Sequence, residues 1–315
     1  MWTCTTPSSL LPELYSYSFS VDGVRTLDPS NVFVNRDVAV LSNYFIVSGG
    51  KGDLYSVKNV PHGTVSRVWY HSKTLNMDRR MTVYTPAGYE DGGRSYPVLY
   101  LLHGMGGDEE AWTSLGRAAQ ILDNLIAQGK ARPMIVVMPN GNVSQEAAPG
   151  ETPERIDQPV FNLPKTMDGG MELSFPDIVD YVERTYRVEK SKRSRAIAGL
   201  SMGGFHSLHI SKLYPGMFDY VGLFSAAIFP ADAPNSDTAD GVYADMESRL
   251  KAQFADPPKL YWIGIGRDDF LYKSNEEYRR MLDRIGAEYT YYETGEGHIW
   301  RNWRIYLSEF VQLLF

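Results

Sequence analysis

Residues 196–204 read Ala-Ile-Ala-Gly-Leu-Ser-Met-Gly-Gly, and they decide the fold. Ala196-Ile197-Ala198 is an uninterrupted apolar run, as expected of a strand buried on both faces of a parallel sheet. Phe205, Leu208 and Leu213 then fall on one side of a helix that should end near Pro215-Gly216. Between strand and helix, Gly199-x-Ser201-x-Gly203 has the spacing of a nucleophile elbow, a tight turn that lifts a serine oxygen out of the sheet. Glycines tolerate the strained backbone there, and Gly203 and Gly204 let the helix sit close to neighbouring strands. The bland alternative is a glycine-rich turn with a serine helix cap. The strand before it and the helix after it weigh against that.

A serine hydroxyl is a poor nucleophile until a base takes its proton, so the elbow calls for a histidine and a carboxylate. In this architecture the chain order is serine, acid, histidine. Of the six histidines, only His298 lies beyond any plausible acid, in the loop Gly295-Glu296-Gly297-His298. His206 and His209 sit on the serine's own helix and read as packing or surface residues. The acid should follow the preceding strand, Leu260 to Ile265, which runs into Gly266-Arg267-Asp268-Asp269. Sequence physics leaves Asp268 and Asp269 open, one to orient the imidazole and the other to cap the turn or pair with Arg267. Glu296 is a weaker alternative, since its nearness to His298 in the chain makes the geometry hard to reach. Tyr96 to Leu102 is a further apolar strand and ends in His103-Gly104-Met105-Gly106-Gly107. Such a loop presents a backbone N–H toward the elbow, and the residue after the nucleophile presents another. These oxyanion donors are Met105 and Met202, with His103 holding the loop. A phosphate cradle is disfavoured, because the P-loop lysine is missing and Asp108-Glu109-Glu110 follows.

His103-Gly104-x-Gly106-Gly107, Gly199-Leu200-Ser201-Met202-Gly203-Gly204 and Gly297-His298-x-Trp300 together resemble the esterase D-type hydrolases. The resemblance is strongest to carbohydrate esterase family one, the feruloyl and acetyl xylan esterases. It runs from about Val60 to the C-terminus and includes Val83-Tyr84-Thr85-Pro86. In that family the acid closes a G-x-x-D pattern, which implies Asp269, and the oxyanion donors again map onto Met105 and Met202. The implied activity is serine carboxylic ester hydrolysis that releases ferulic or p-coumaric groups from plant cell-wall polysaccharide through an acyl-enzyme. Enterochelin esterases and S-formylglutathione hydrolases share this plan. Acetylated xylan, a siderophore ester or a thioester are therefore alternative substrates. From a different class, the alternative is a carbohydrate-binding scaffold with an inactive hydrolase fold.

Around the elbow, apolar runs alternate with helical patterns. Met134 to Met138 and Val221 to Phe224 read as strands, and Leu115 to Ile126 as a helix closed by Gly129. A further helix should start at a capping box, Ser274 to Glu277, and end at Gly286. The expected fold is an α/β-hydrolase with a mostly parallel, doubly wound sheet over residues 60–315. Two strands near Ser66 to His71 and Met81 to Thr85 should run antiparallel at one edge. Residues 1–59 read as a short β-rich segment, with Tyr15 to Val21 alternating before an Asp22-Gly23 turn. It resembles part of an immunoglobulin-like domain. Asn142 to Gly170 is long and polar and reads as a substrate lid. Apolar groups near the catalytic loops, Met105, Trp112, Phe229, Phe270 and Trp300, are expected to flank the acyl group.

A net charge of −7 and a pI near 5.4 argue against nucleic acid, because no basic stripe is available to displace counterions. The single cysteine, Cys4, excludes an internal disulfide framework and a cysteine metal cluster. No apolar run reaches the ~18 residues of a membrane span. Met1 is followed by Trp-Thr-Cys-Thr-Thr, with neither a basic region nor an apolar core, so no signal peptide is expected in this chain. The resemblance nevertheless implies a secreted or periplasmic enzyme, with a cytoplasmic location as the alternative. It implies a monomer or homodimer, acting on a small or polysaccharide-linked ester, without metal or organic cofactor.

Overall fold

The N-terminal segment holds five short strands, β1 (Leu14–Tyr17), β2 (Phe19–Val21), β3 (Val24–Thr26), β4 (Val34–Asp37) and β5 (Val40–Ile46), then helix α1 (Gly50–Tyr55). The chain continues through β6 (Thr64–Ser72), β7 (Met77–Thr85), β8 (Val98–Leu102), α2 (Ala111–Ser114), α3 (Ala118–Ala127), β9 (Ile135–Pro139) and α4 (Gly170–Thr185). It closes with β10 (Arg195–Leu200), α5 (Met202–Leu213), β11 (Tyr220–Phe224), α6 (Met246–Ala255), β12 (Leu260–Gly266), α7 (Tyr272–Arg284), β13 (Thr290–Thr294) and α8 (Trp300–Val311). This is a computed structural model, and it describes residues 5–6, 8–153, 156–228 and 241–315. Cys4 and Phe229 lie outside the described residues.

The main sheet has the order β13-β12-β11-β10-β8-β9-β7-β6. Its β6–β7 and β7–β9 pairs are antiparallel and the remaining pairs parallel, as the apolar runs predict. Side chains alternate across each strand, so one strand feeds two cores. Val98, Tyr100 and Leu102 pack with Phe175 and Ile178 of α4 and Leu208 of α5. Leu99 and Leu101 pack on the other face with Ile121 and Leu125 of α3 and Phe310 of α8. Helices on both faces make the sheet doubly wound, an α/β-hydrolase architecture.

From β8 the chain crosses to β9 on one side and later to β10 on the other. Loops leaving the carboxyl ends of β8 and β10 therefore diverge, and the crevice between them is where open α/β sheets bind ligands. The register sets Gly199 of β10 opposite Leu102 of β8, so the His103–Gly107 loop lies beside Ser201.

Three local expectations need correction. The helix expected over Leu115 to Ile126 starts only at Ala118, as α3, after the separate short helix α2 has ended at Ser114. A Cβ on Gly116 would lie 2.5 Å from the Trp112 ring, and Arg117 takes a left-handed turn with φ 55°. Ser274 does not open a capping box; α7 starts earlier, and the Ser274 hydroxyl donates back to Leu271 O at 3.0 Å. The alternating run Tyr15 to Val21 breaks at Ser18. Its first half pairs with β5, and its second makes a hairpin with β3 through Asp22 (φ 50°) and Gly23 (φ 81°). Among the described residues, the segment has one three-stranded sheet, β1-β5-β4, and one two-stranded hairpin. That falls short of the about seven strands of an immunoglobulin sandwich. The segment leans on the hydrolase: Leu14 and Tyr55 are buried in the same cluster as α3 and α8.

Candidate active site

Ser201 stands between β10 and α5 with φ 53° and ψ −116°, a conformation that a non-glycine residue holds only when its surroundings force it. Its N–H donates to Phe224 O at 2.9 Å, and its carbonyl accepts from Phe205 N at 3.0 Å and Ala227 N at 2.9 Å. The bend is thus fastened from both sides. Close approach explains the glycine after it: a Cβ on Gly203 would sit 2.4 Å from Leu102 O. Met202, fully buried, opens α5. Its N–H belongs to the first helical turn, which has no internal acceptors and carries the positive end of the helix dipole.

The His103–Gly107 loop is tied down by His103. Gly141 N–H donates to His103 Nε2 at 2.8 Å, so the ring is neutral with its proton on Nδ1, which lies 2.8 Å from Gly104 O. Burial pushes the His103 pKa down, consistent with this neutral form. The expectation that His103 holds the loop agrees with these bonds. Gly104 brings the loop against the nucleophile, since a Cβ there would lie 3.3 Å from Ser201 Cβ. Met105 follows at the rim and lines a cleft of about 400 Å³ with Leu163, Pro164, Lys165 and Met167.

The two aspartates separate cleanly. Asp269 is buried, and its carboxylate oxygens lie 3.1 and 2.9 Å from His298 Nδ1; Oδ1 also accepts from Leu271 N at 2.9 Å. A carboxylate can only accept, so Nδ1 carries the proton and Nε2 keeps a free lone pair. Asp268 is exposed, and its backbone N–H donates to Glu296 O at 3.0 Å. Arg267 pairs with Glu293 rather than with the second aspartate, through a 2.9 Å hydrogen bond. Glu296 pairs with Arg301 and not with His298. Asn302 braces the histidine loop by donating to Gly295 O at 3.0 Å and Gly297 O at 2.9 Å. The sequence signal for that brace was an asparagine in the first turn of the helix that follows His298.

Ser201, Asp269 and His298 therefore leave the carboxyl ends of β10, β12 and β13, all on one edge of the sheet. The aromatic expectations fare unevenly. Phe270 is 77% exposed, with its ring centroid 4.7 Å from that of His298. Trp112 is a correction: it is 1% exposed, and its indole N–H donates to Leu102 O at 2.9 Å, so it supports the strand end and cannot line the site. Trp300 is half-buried, edge-on to Trp112 at 5.4 Å and to Trp303 at 5.2 Å, which makes it packing beneath the histidine.

The long insertion is fastened at its start. Arg79, fully buried, donates to Asn140 O at 2.6 Å and Asn142 O at 3.0 Å, and Arg80 pairs with Glu109 at 2.6 Å and Glu151 at 2.9 Å. From residue 156 it carries exposed apolar groups, including Ile156 and Phe161. The Arg79-Arg80 anchor was missed in the sequence. A charged pair inside a strand pattern was its only signal.

Comparison with known proteins agrees with the fold. Residues 72–312 match the family model described as putative esterase. Over the whole chain, 28% of residues are identical to an endo-1,4-beta-xylanase/feruloyl esterase of Xylanibacter ruminicola, of which the chain spans 40% of the length. An acetyl esterase of Caldicellulosiruptor saccharolyticus is 24% identical over 78% of this chain and 95% of its own. A ferulic acid esterase of Anaeromyces mucronatus, solved with ferulic acid, superposes with a TM-score of 0.65 at 25% identity, over 82% of this chain and 93% of that one. The chain belongs to the esterase family.

Proposed function

We propose that the protein releases hydroxycinnamoyl groups, such as ferulic or p-coumaric acid, from plant cell-wall polysaccharide. Ser201 Oγ attacks the ester carbonyl carbon while His298 Nε2 takes its proton. Asp269 holds the imidazole in the required tautomer and stabilises the imidazolium. The backbone N–H groups of Met105 and Met202 carry the negative charge of the tetrahedral oxyanion. Collapse breaks the bond to the sugar oxygen, which leaves with the proton from His298. Water, activated by the same histidine, then frees the acid and restores Ser201.

Support for the mechanism comes from the Asp269–His298 pair, at 2.9 Å, on the sheet edge that carries Ser201. One observation carries the preference for an aromatic acyl group: the cleft of about 400 Å³ beside Met105, where Leu163, Pro164 and Met167 offer apolar surface among the polar Asn162, Lys165, Thr166 and Asp168. Burying a cinnamoyl ring there would contribute roughly 2–4 kcal/mol that an acetyl group cannot. Realised in the transition state, this predicts a kcat/KM about 10²-fold higher for methyl ferulate than for methyl acetate, which share a leaving group. A value for acetate equal to or above that for ferulate would make the protein an acetyl esterase, the activity named for the Caldicellulosiruptor relative.

A further inference from the structure

The turn between β4 and β5 reaches across the mouth of the site from the N-terminal segment. Arg36 pairs with Asp108, the residue just past the oxyanion loop, and its other guanidinium nitrogen donates to Val38 O at 2.9 Å. The Asp37 carboxylate meets the Trp300 side chain, two residues beyond His298, through a hydrogen bond. Val38 lies over the oxyanion loop itself. A Cβ on Gly106 would be 2.7 Å from Val38 Cγ2 and 3.2 Å from the Phe161 backbone, so the missing side chain at Gly106 is what lets the turn and the insertion meet there. One turn therefore touches the loop after β8 and the helix behind the histidine, and at Gly106 it comes close to the insertion.

The turn is also strained in an uneconomical way. Val38 has φ 54°, and a β-branched residue is a costly choice for the left-handed region, where glycine or asparagine would serve a hairpin better. Strain of this kind persists where surroundings enforce it, and it clusters at ligand sites. Geometry gives the side chain a task. His298 protonates the leaving oxygen, so the sugar lies on the histidine side, and the acyl group points away from it.

We propose that Val38, supplied by the N-terminal segment, is a specificity-determining residue that forms with Met105 and Phe161 an apolar wall against the acyl group of bulky esters. This rests on the ester-hydrolase reading of the site. Arg36 and Asp37 are positioning residues that hold the wall in place.

Val38→Gly tests it, because glycine accepts the backbone conformation and removes only the wall. The measurement is kcat/KM on the full chain for 4-nitrophenyl acetate, 4-nitrophenyl octanoate and methyl ferulate, with a melting curve. The expected result is a ratio of bulky ester to acetate lowered about fivefold or more, carried mainly by KM, with the melting temperature unchanged or raised. Equal losses on all three esters with a lower melting temperature would assign Val38 to stability alone, and no change in the ratio would also overturn the proposal. Val38→Phe supplies the complement: the larger apolar side chain should change the ratio of bulky ester to acetate at least about threefold in either direction, and a ratio like wild type would count against the wall. If wild type ignores methyl ferulate while the octanoate ratio still shifts, the hydroxycinnamate reading falls and the wall stands.

Discussion

At the residue scale the proposed triad turns on which of two neighbouring aspartates, with opposite surroundings, serves His298. Asp269 faces His298 Nδ1 and is buried, whereas Asp268 points to solvent. Asp269→Asn keeps the shape but offers Nδ1 an amide that favours the wrong tautomer, so kcat should fall about 10⁴-fold. Asp268→Asn should stay within about threefold of wild type. Steady-state kinetics of the two variants decide the assignment, and the reverse ranking would move the role to Asp268. His103 makes a second residue-scale prediction. Its two bonds, to Gly104 O and from Gly141 N–H, fix the loop that carries Met105. His103→Ala should lower kcat about tenfold or more with a smaller change in KM, since a displaced donor is felt in the transition state. A variant that loses only affinity would separate His103 from the oxyanion.

At the scale of elements, the strand–turn–helix around Ser201 was legible because each part obeys a local rule: an apolar run, a glycine at each tight approach, a one-sided helix. Asp269 was legible only in part, since adjacent aspartates on one turn differ in where the backbone points them, not in type. The late start of α3, at Ala118 rather than Leu115, was hidden for a similar reason. It depends on Gly116 packing against Trp112, a contact within the folded turn rather than a periodicity. Helix α5 carries a pH prediction. His209, buried between the rings of Phe205 and Tyr243, has its pKa pushed well down by burial and then by Lys212 nearby, and burial lowers that of His103 as well. In the unfolded chain both take up a proton near about 6.5, while the folded protein keeps them neutral to lower pH. Their contribution to stability is present above that value and is lost as pH falls toward the folded pKa values. Melting temperature should therefore drop from pH 7 to pH 5, and His209→Phe should flatten the drop. An unchanged slope would place the proton uptake elsewhere.

On the scale of the whole molecule, the N-terminal segment was the least legible part, because its partners lie hundreds of residues away in the chain. Glu13 pairs with Arg304 of α8 at 2.9 Å, with both side chains 4% exposed, and Leu14 and Tyr55 enter the core behind α3 and α8. No spacing within residues 1–59 announces contacts of that range. Removing one partner of a buried ion pair strands the other charge, so Glu13→Ala should cost about 3–5 kcal/mol of stability in chemical unfolding. Unfolding of the wild type should be a single transition; a separate, earlier transition of the N-terminal strands would show that the segment does not share the hydrolase core. Everything functional still depends on Ser201 being the nucleophile. Treatment with diethyl 4-nitrophenyl phosphate, read by intact mass and peptide mapping, tests this most directly. The predicted result is one adduct per chain, on Ser201, with activity lost in step, and a Ser201→Ala variant that takes no label and retains about 10⁻⁴ of the activity or less. Stoichiometric labelling of Ser201→Ala, or its keeping about a tenth of wild-type turnover, would contradict the serine mechanism.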